Sequence, residues 1–355
     1  MKARFAIAAL FLFGLVAQAQ DQATKPATEV KAAFLKMLDR PKVELDPKAI
    51  DSKSEGGLVT EHLTIASEKK RSGDMERVPI LLVRPEKVEG RAAAVIILHG
   101  TGGNKEGQRG WCAELAKKGM IGVAIDARYH GERSGGAKGA AAYVEAIARA
   151  WRAKPDEMEH PFYYDTVWDL WRTVDWLVSR PDVDPKRLGM IGFSMGGIQT
   201  WLAASVDDRI AVAVPAIGVQ SFKWSLENEK WQGRAKTIAL AHSEAAKDLG
   251  EPEVNQRVCR ELWGKVIPGI LGDFDCPSLI RLFAGRPLLL LNGEKDPNCP
   301  IEGAKLAFAQ AEAAFKAAGC PEKLKILVQP GGHTVPPDQQ QAAREWFEKW
   351  LNMIK

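Results

Sequence analysis

The chain is 355 residues long, 46% hydrophobic and 26% charged, with a formal net charge of +4. That much apolar material builds a large core, and the small positive excess comes without any dense Lys/Arg block. Nucleic acid and an electrostatic membrane patch are therefore excluded as partners.

The chain opens MKARFAIAALFLFGLVAQAQ, with Lys2 and Arg4, an apolar run from Phe5 to Val16, and the small residues Ala17 and Ala19. This pattern reads as a cleavable signal at 1–19 and implies a secreted or periplasmic protein. An uncleaved anchor needs about 20 apolar residues to span a bilayer, so no stable membrane insertion is expected after cleavage. Cysteines stand at 112, 259, 276, 299 and 320, without a C-x-x-C pair or a Cys/His cluster at zinc spacing, so no metal site is expected. An oxidising compartment permits a disulfide, with Cys259 to Cys276 and Cys299 to Cys320 as the short-range options, and one thiol is left over.

Residues 20–56 are polar, contain Pro26, Pro41 and Pro47, and read as an N-terminal tether with one short helix at about 30–38. The domain proper is expected at 57–355. Strands are predicted at 58–65, 78–83, 93–98, 121–125, 188–193, 210–217, 287–291 and 324–328. The first two interleave polar residues, as strands with a wet face do. The later ones, such as AVIILH and PLLLLN, are nearly continuous apolar runs, the mark of strands buried on both faces of a parallel sheet. Between them, 164–177, 304–318 and 339–354 carry amphipathic helical stripes. The alternation predicts an α/β fold with a doubly wound, mostly parallel sheet of about eight strands, and functional groups beyond the C-terminal strand ends. From about 221 to 283 no strand is evident, and Trp224, Trp231 and Trp263 with many aliphatic residues predict a helical cap insertion over the same edge.

The segment GFSMGG sets Ser194 between a buried strand and a helix-compatible run, where Gly192, Gly196 and Gly197 suit a tight elbow. A serine hydroxyl needs a base to take its proton, and the oxyanion it creates needs donors. Upstream, AVIILH ends in His99-Gly100-Thr101-Gly102-Gly103, which makes the amides of Thr101 and Met195 the candidate oxyanion hole and His99 a structural member of that turn. Downstream, PLLLLNGEKDPNCP places Asp296 just past a strand, with Glu294 as its competitor, and LKILVQPGGHTV places His333 past the last one. His333 alone among the six histidines follows the candidate acid; His62, His130, His160 and His242 have no matching strand-end position.

The order Ser194, Asp296, His333, each at a predicted strand end, resembles the α/β-hydrolase superfamily from about Val59 to the C-terminus. With IDARYHGERSGG, from Ile125, and the run from EHPFYYDTVW to GFSMGG, the chain is similar to the branch of dienelactone hydrolases, acetyl xylan esterases and prolyl oligopeptidases. Dienelactone hydrolases carry cysteine where Ser194 stands, so that activity is not implied, and the propeller of the oligopeptidases does not fit in this length. The resemblance implies a compact serine esterase acting on a small-molecule or carbohydrate ester, with no cofactor. A serine peptidase and a non-catalytic binding protein on a hydrolase scaffold are its rivals. Arg128, Tyr129 and Arg133 either line a substrate pocket or pin their loop, and Trp224 of the cap is a further pocket candidate.

Overall fold

A computed structural model describes residues 25–88 and 90–354; the expected signal at 1–19 lies outside the described residues. Nine strands form one sheet: β1 (Lys48–Glu55), β2 (Leu58–Lys69), β3 (Met75–Pro85), β4 (Ala92–Leu98), β5 (Ile121–Ile125), β6 (Val183–Phe193), β7 (Ile210–Ala216), β8 (Leu288–Gly293) and β9 (Leu324–Gln329). Their spatial order is β1-β2-β3-β5-β4-β6-β7-β8-β9. β1, β2 and β3 are antiparallel, β3 also pairs antiparallel with β5, and every later pairing is parallel.

The connecting helices are α1 (Ala27–Leu38), α2 (Arg109–Lys117), α3 (Ala141–Arg152), α4 (Tyr164–Ser179), α5 (Met195–Val206), α6 (Phe222–Glu227), α7 (Gln232–Thr237), α8 (Ala239–Asp248), α9 (Gln256–Val266), α10 (Cys276–Ile280), α11 (Ile301–Ala317) and α12 (Pro337–Met353). They cover both faces of the sheet. Along β4, Ala92, Ala94, Ile96 and Leu98 join a core with α1, α4, α5 and α11, whereas Ala93, Val95 and Ile97 join a second core with α2 and α12. Period-two alternation between two apolar environments is what a continuous apolar run encodes. Every residue of α5 is buried, so this helix carries no polar face at all.

The sheet has one strand more than expected. β1 lies in the segment read as a tether, and all eight of its side chains are exposed, so its sequence shows neither an apolar run nor alternation. Its charges, Lys48, Asp51, Lys53 and Glu55, suit an edge strand that must not pair with another chain. Residues 27–40 of that segment are not a tether either: Val30, Phe34 and Leu38 of α1 are buried in the main core, and Arg40 binds Glu68 and Asp165. Residues 222–283 are helical, as α6 to α10 and one 3-10 turn. All five cysteines are free and buried, so neither disulfide option is formed. No described helix is long and apolar enough to cross a membrane.

Candidate active site

The chain passes from β4 to β5 on one side and then returns to β6 on the other, so the C-terminal ends of β4 and β6 flank the switch point of the sheet. Ser194 follows β6 directly, with φ 56° and ψ −110°. A non-glycine residue held there is strained, and the surroundings over-determine it. The Ser194 N–H donates to the Ala216 carbonyl at 3.0 Å, tying the elbow to β7. A Cβ on Gly192 would lie 2.1 Å from the Gly196 carbonyl oxygen, and one on Gly196 would lie 2.6 Å from that of Leu98. Gly192→Ala is therefore expected to cost at least about 1–3 kcal/mol, read as earlier thermal unfolding with loss of activity.

The HGTGG turn after β4 lies against the serine: a Cβ on Gly100 would be 3.6 Å from Ser194 Cβ. Among the described residues, the N–H groups of Thr101 and Met195 have no acceptor. His99 fixes this turn, with Nδ1 2.8 Å from the Gly100 carbonyl and Nε2 accepting from the Ala127 N–H at 3.2 Å. Burial pushes its pKa down to about 4, so the ring is neutral and serves as a strut, in keeping with the structural part expected of it.

The acid and the base come from the two neighbouring strands at the far side. His333 Nε2 lies 2.7 Å from Ser194 Oγ, and its Nδ1 lies 2.7 Å from Asp296 Oδ2. Asp296 Oδ1 accepts from the N–H groups of Asn298 and Cys299 at 2.8 and 3.0 Å, while Glu294 is exposed and takes no part. The loop after β8 is locked to β9 and its loop, because the Glu294 N–H donates to Gln329 O at 2.8 Å and the Lys295 N–H donates to Gly331 O at 2.9 Å. The structure thus brings Ser194, Asp296 and His333 into one chain of hydrogen bonds. This arrangement can move a proton from the hydroxyl to the imidazole and hold the resulting cation against a carboxylate.

Asp296, Cys299 and His333 also offer ligand atoms within 4.8 Å of one another, the spacing of a metal site. The donor chemistry does not fit one. Burial pushes the Cys299 thiol up to about 12, its sulfur donates to the Ile217 carbonyl at 3.2 Å, and both other residues are committed to each other.

The pocket candidates fall elsewhere. Arg128 is buried and grips Asp169, with Nε to Oδ2 at 2.7 Å and Nη2 to Oδ1 at 3.0 Å. Arg133 binds the same Asp169 at 2.8 Å and Glu76 at 3.0 Å. Both pin the loop after β5 and are not free to meet a substrate. The Tyr129 hydroxyl donates to Glu159, and its ring lies 5.6 Å from the Arg149 guanidinium. Trp224 is half-buried on the first turn of α11, where a Cβ on Gly303 would lie 3.0 Å from its ring. The cap meets the site instead through α7, which borders a cavity of about 620 Å³ beside Asp296 and Asn298. Sequence reasoning missed Asn298 and Cys299, whose N–H groups orient the acid; the PNCP that follows Asp296 was the available sign of a tight turn.

A mostly parallel sheet with helices on both faces, a strained serine after its central strand, and an acid and a histidine after two later strands define an α/β-hydrolase. The Dienelactone hydrolase family model matches residues 78–262, and the chain belongs to that family. It is 25% identical over 289 residues to YtaP of Bacillus subtilis (strain 168), named as a hydrolase, covering 78% of this chain and 84% of YtaP. It is 26% identical over 281 residues to YitV of the same organism, named as an esterase, covering 77% of this chain and 96% of YitV. Among solved structures, acetyl xylan esterase 1 from Thermoanaerobacterium sp. JW/SL YS485 has the same fold, with a TM-score of 0.67 at 19% identity over 92% of this chain and 94% of that one.

Proposed function

We propose that the protein is a serine esterase that cleaves small acyl esters, acetylated carbohydrates first among them, through an acyl-enzyme. The observation that carries this reading is the single imidazole bonded at 2.7 Å both to Ser194 Oγ and to Asp296 Oδ2. His333 takes the hydroxyl proton as Ser194 Oγ attacks the ester carbonyl, and Asp296 stabilises the imidazolium. The N–H groups of Thr101 and Met195 receive the tetrahedral oxyanion, each such bond being worth about 3 kcal/mol in the transition state. His333 then returns the proton to the leaving alcohol, and water, deprotonated by the same ring, releases the acid and restores the serine. Family membership and the name of YitV support an ester over other substrates. The acetylated-carbohydrate reading draws on the name of the acetyl xylan esterase that shares the fold.

The same proposal takes the enzyme outside the cytoplasm, on the strength of the basic and apolar pattern at 1–19. Its substrates would then be extracellular or periplasmic esters.

Hydrolysis of p-nitrophenyl acetate and release of acetate from acetylated xylo-oligosaccharides, with no turnover of aminoacyl or prolyl anilides, is the expected result. Turnover of the anilides in preference to the esters would favour a peptidase. Failure of the folded protein to take up a fluorophosphonate would overturn the serine-hydrolase reading altogether.

A further inference from the structure

Arg234, in the cap helix α7, is only 2% exposed, yet none of its partners among the described residues is a carboxylate. Its Nη2 donates to the Asn298 carbonyl at 3.0 Å and to Cys299 Sγ at 3.3 Å. With the Gln220 amide turned so that its O and N exchange places, the orientation that satisfies both ends, its oxygen accepts from Nε and Nη2 at 3.3 and 3.2 Å and its nitrogen donates to the same Asn298 carbonyl at 2.9 Å. The Phe222 ring lies 5.8 Å from the guanidinium. Burying a cation that bonds no carboxylate, with Asp296 near enough only to oppose its charge, carries a large desolvation penalty, and an apolar side chain of similar volume would fill the space at less cost. Stability alone does not account for an arginine here.

What the guanidinium grips is the turn that carries the acid. Asn298 and Cys299 give their N–H groups to Asp296 Oδ1, and Arg234 holds the same two residues by the Asn298 carbonyl and the Cys299 sulfur. With Oδ1 pinned, Oδ2 is left facing His333 Nδ1. The neighbouring residue makes the docking close. A Cβ on Gly233 would fall 1.9 Å from the Pro297 carbonyl oxygen, so the backbone of α7 rests directly on the acid loop.

We propose that Arg234 is a positioning residue for the catalytic acid: it keeps the Asn298 and Cys299 N–H groups on Asp296, which makes docking of the cap a condition for a correctly aimed His333. The inference rests on the serine-hydrolase reading above. It also assigns the cap a part in the chemistry, beyond shaping what reaches the serine.

The test measures KM and kcat per active serine, counted by fluorophosphonate titration, for wild type, Arg234→Met and Arg234→Lys. Arg234→Met is expected to lower kcat per titrated serine about 10- to 100-fold while KM stays within about threefold, because the acid acts in the transition state. Lysine keeps the charge but has no planar fork, so about a tenth to a third of the wild-type kcat returns. A role in stability alone would lower the fraction of serines titrated and leave kcat per titrated serine unmoved, and that result overturns the proposal. If Arg234→Met fails to fold, Arg234→Lys carries the test, and wild-type kcat per titrated serine in that variant overturns the proposal equally. A wild-type protein that takes up no fluorophosphonate instead removes the nucleophile itself, a failure seen before any variant is compared.

Discussion

Ser194→Ala is expected to lower kcat on p-nitrophenyl acetate by about 10⁴- to 10⁶-fold with KM little changed, because the nucleophile of a triad acts as a unit with its base. The size follows from the geometry. Ser194 Oγ is 2.7 Å from His333 Nε2, so on the proposed mechanism the proton is handed over without rearrangement. Removing the hydroxyl leaves the ring, the carboxylate and the N–H groups of Thr101 and Met195 in place, so a residual rate above water is expected from binding and the oxyanion hole alone. Folding is not expected to suffer, since no other described group depends on the hydroxyl and the strained backbone of the elbow is held by its neighbours. Steady-state kinetics with thermal unfolding of the same samples measures both effects. Fluorophosphonate labelling supplies the control: it should vanish in Ser194→Ala and persist in Ser243→Ala, whose serine is exposed on α8. A rate within about tenfold of wild type in Ser194→Ala would remove the serine from the mechanism.

Asp169→Asn is expected to destabilise the fold by about 3–5 kcal/mol at neutral pH, because it leaves two buried guanidinium groups without their shared carboxylate. Asp169 lies wholly buried on α4 between Arg128 and Arg133, and Ser67 donates to it as well. The expected drop in melting temperature is on the order of 10 °C. Acid titration gives the signature. Burial disfavours the charge of Asp169, yet Arg128 and Arg133 beside it hold its carboxyl well below the ordinary range. Burial likewise opposes Asp165 and Glu76, which are also lowered, by Arg40 and Arg128 in the first case and by Arg133 and Arg128 in the second. A carboxyl whose folded pKa is depressed contributes stability above its unfolded value near 4, and that stability is lost as the pH falls through the folded value. Wild-type melting temperature is therefore expected to fall steeply below about pH 4, and that of Asp169→Asn less steeply. Equal melting temperatures for the two proteins at neutral pH would show that the network adds nothing to the fold.

These two sites also show what was legible in the sequence and what was not. Ser194, Asp296 and His333 each follow a strand in a short run of letters, and their order along the chain is itself informative, so their convergence could be read without coordinates. Strands β4, β5, β7 and β8 and the second half of β6, from Leu188, were legible because burial on both faces leaves a nearly unbroken apolar run; the charged first half of β6, Val183 to Arg187, was not. β1 was not, since its eight exposed side chains carry no pattern that burial would impose. Arg128 and Arg133 stayed ambiguous for a different reason. An arginine in a loop states its charge but not its partner, and their common partner Asp169 lies 41 and 36 residues away in the chain. Arg234 was invisible for the same cause, its hold on Asn298 spanning 64 residues.

The order of strands across the sheet also sets when the enzyme comes into being. From β6 onward each new strand is laid beside the one before it, through β7 and β8 to β9 at the edge. The hydroxyl arrives with the first of these, the carboxylate with the third and the imidazole only after the last. On the proposed mechanism, a growing or truncated chain that stops before β9 has a serine with no base to take its proton. Such a chain would keep at most a residual rate however much of its core has formed, and full activity would begin with the final strand.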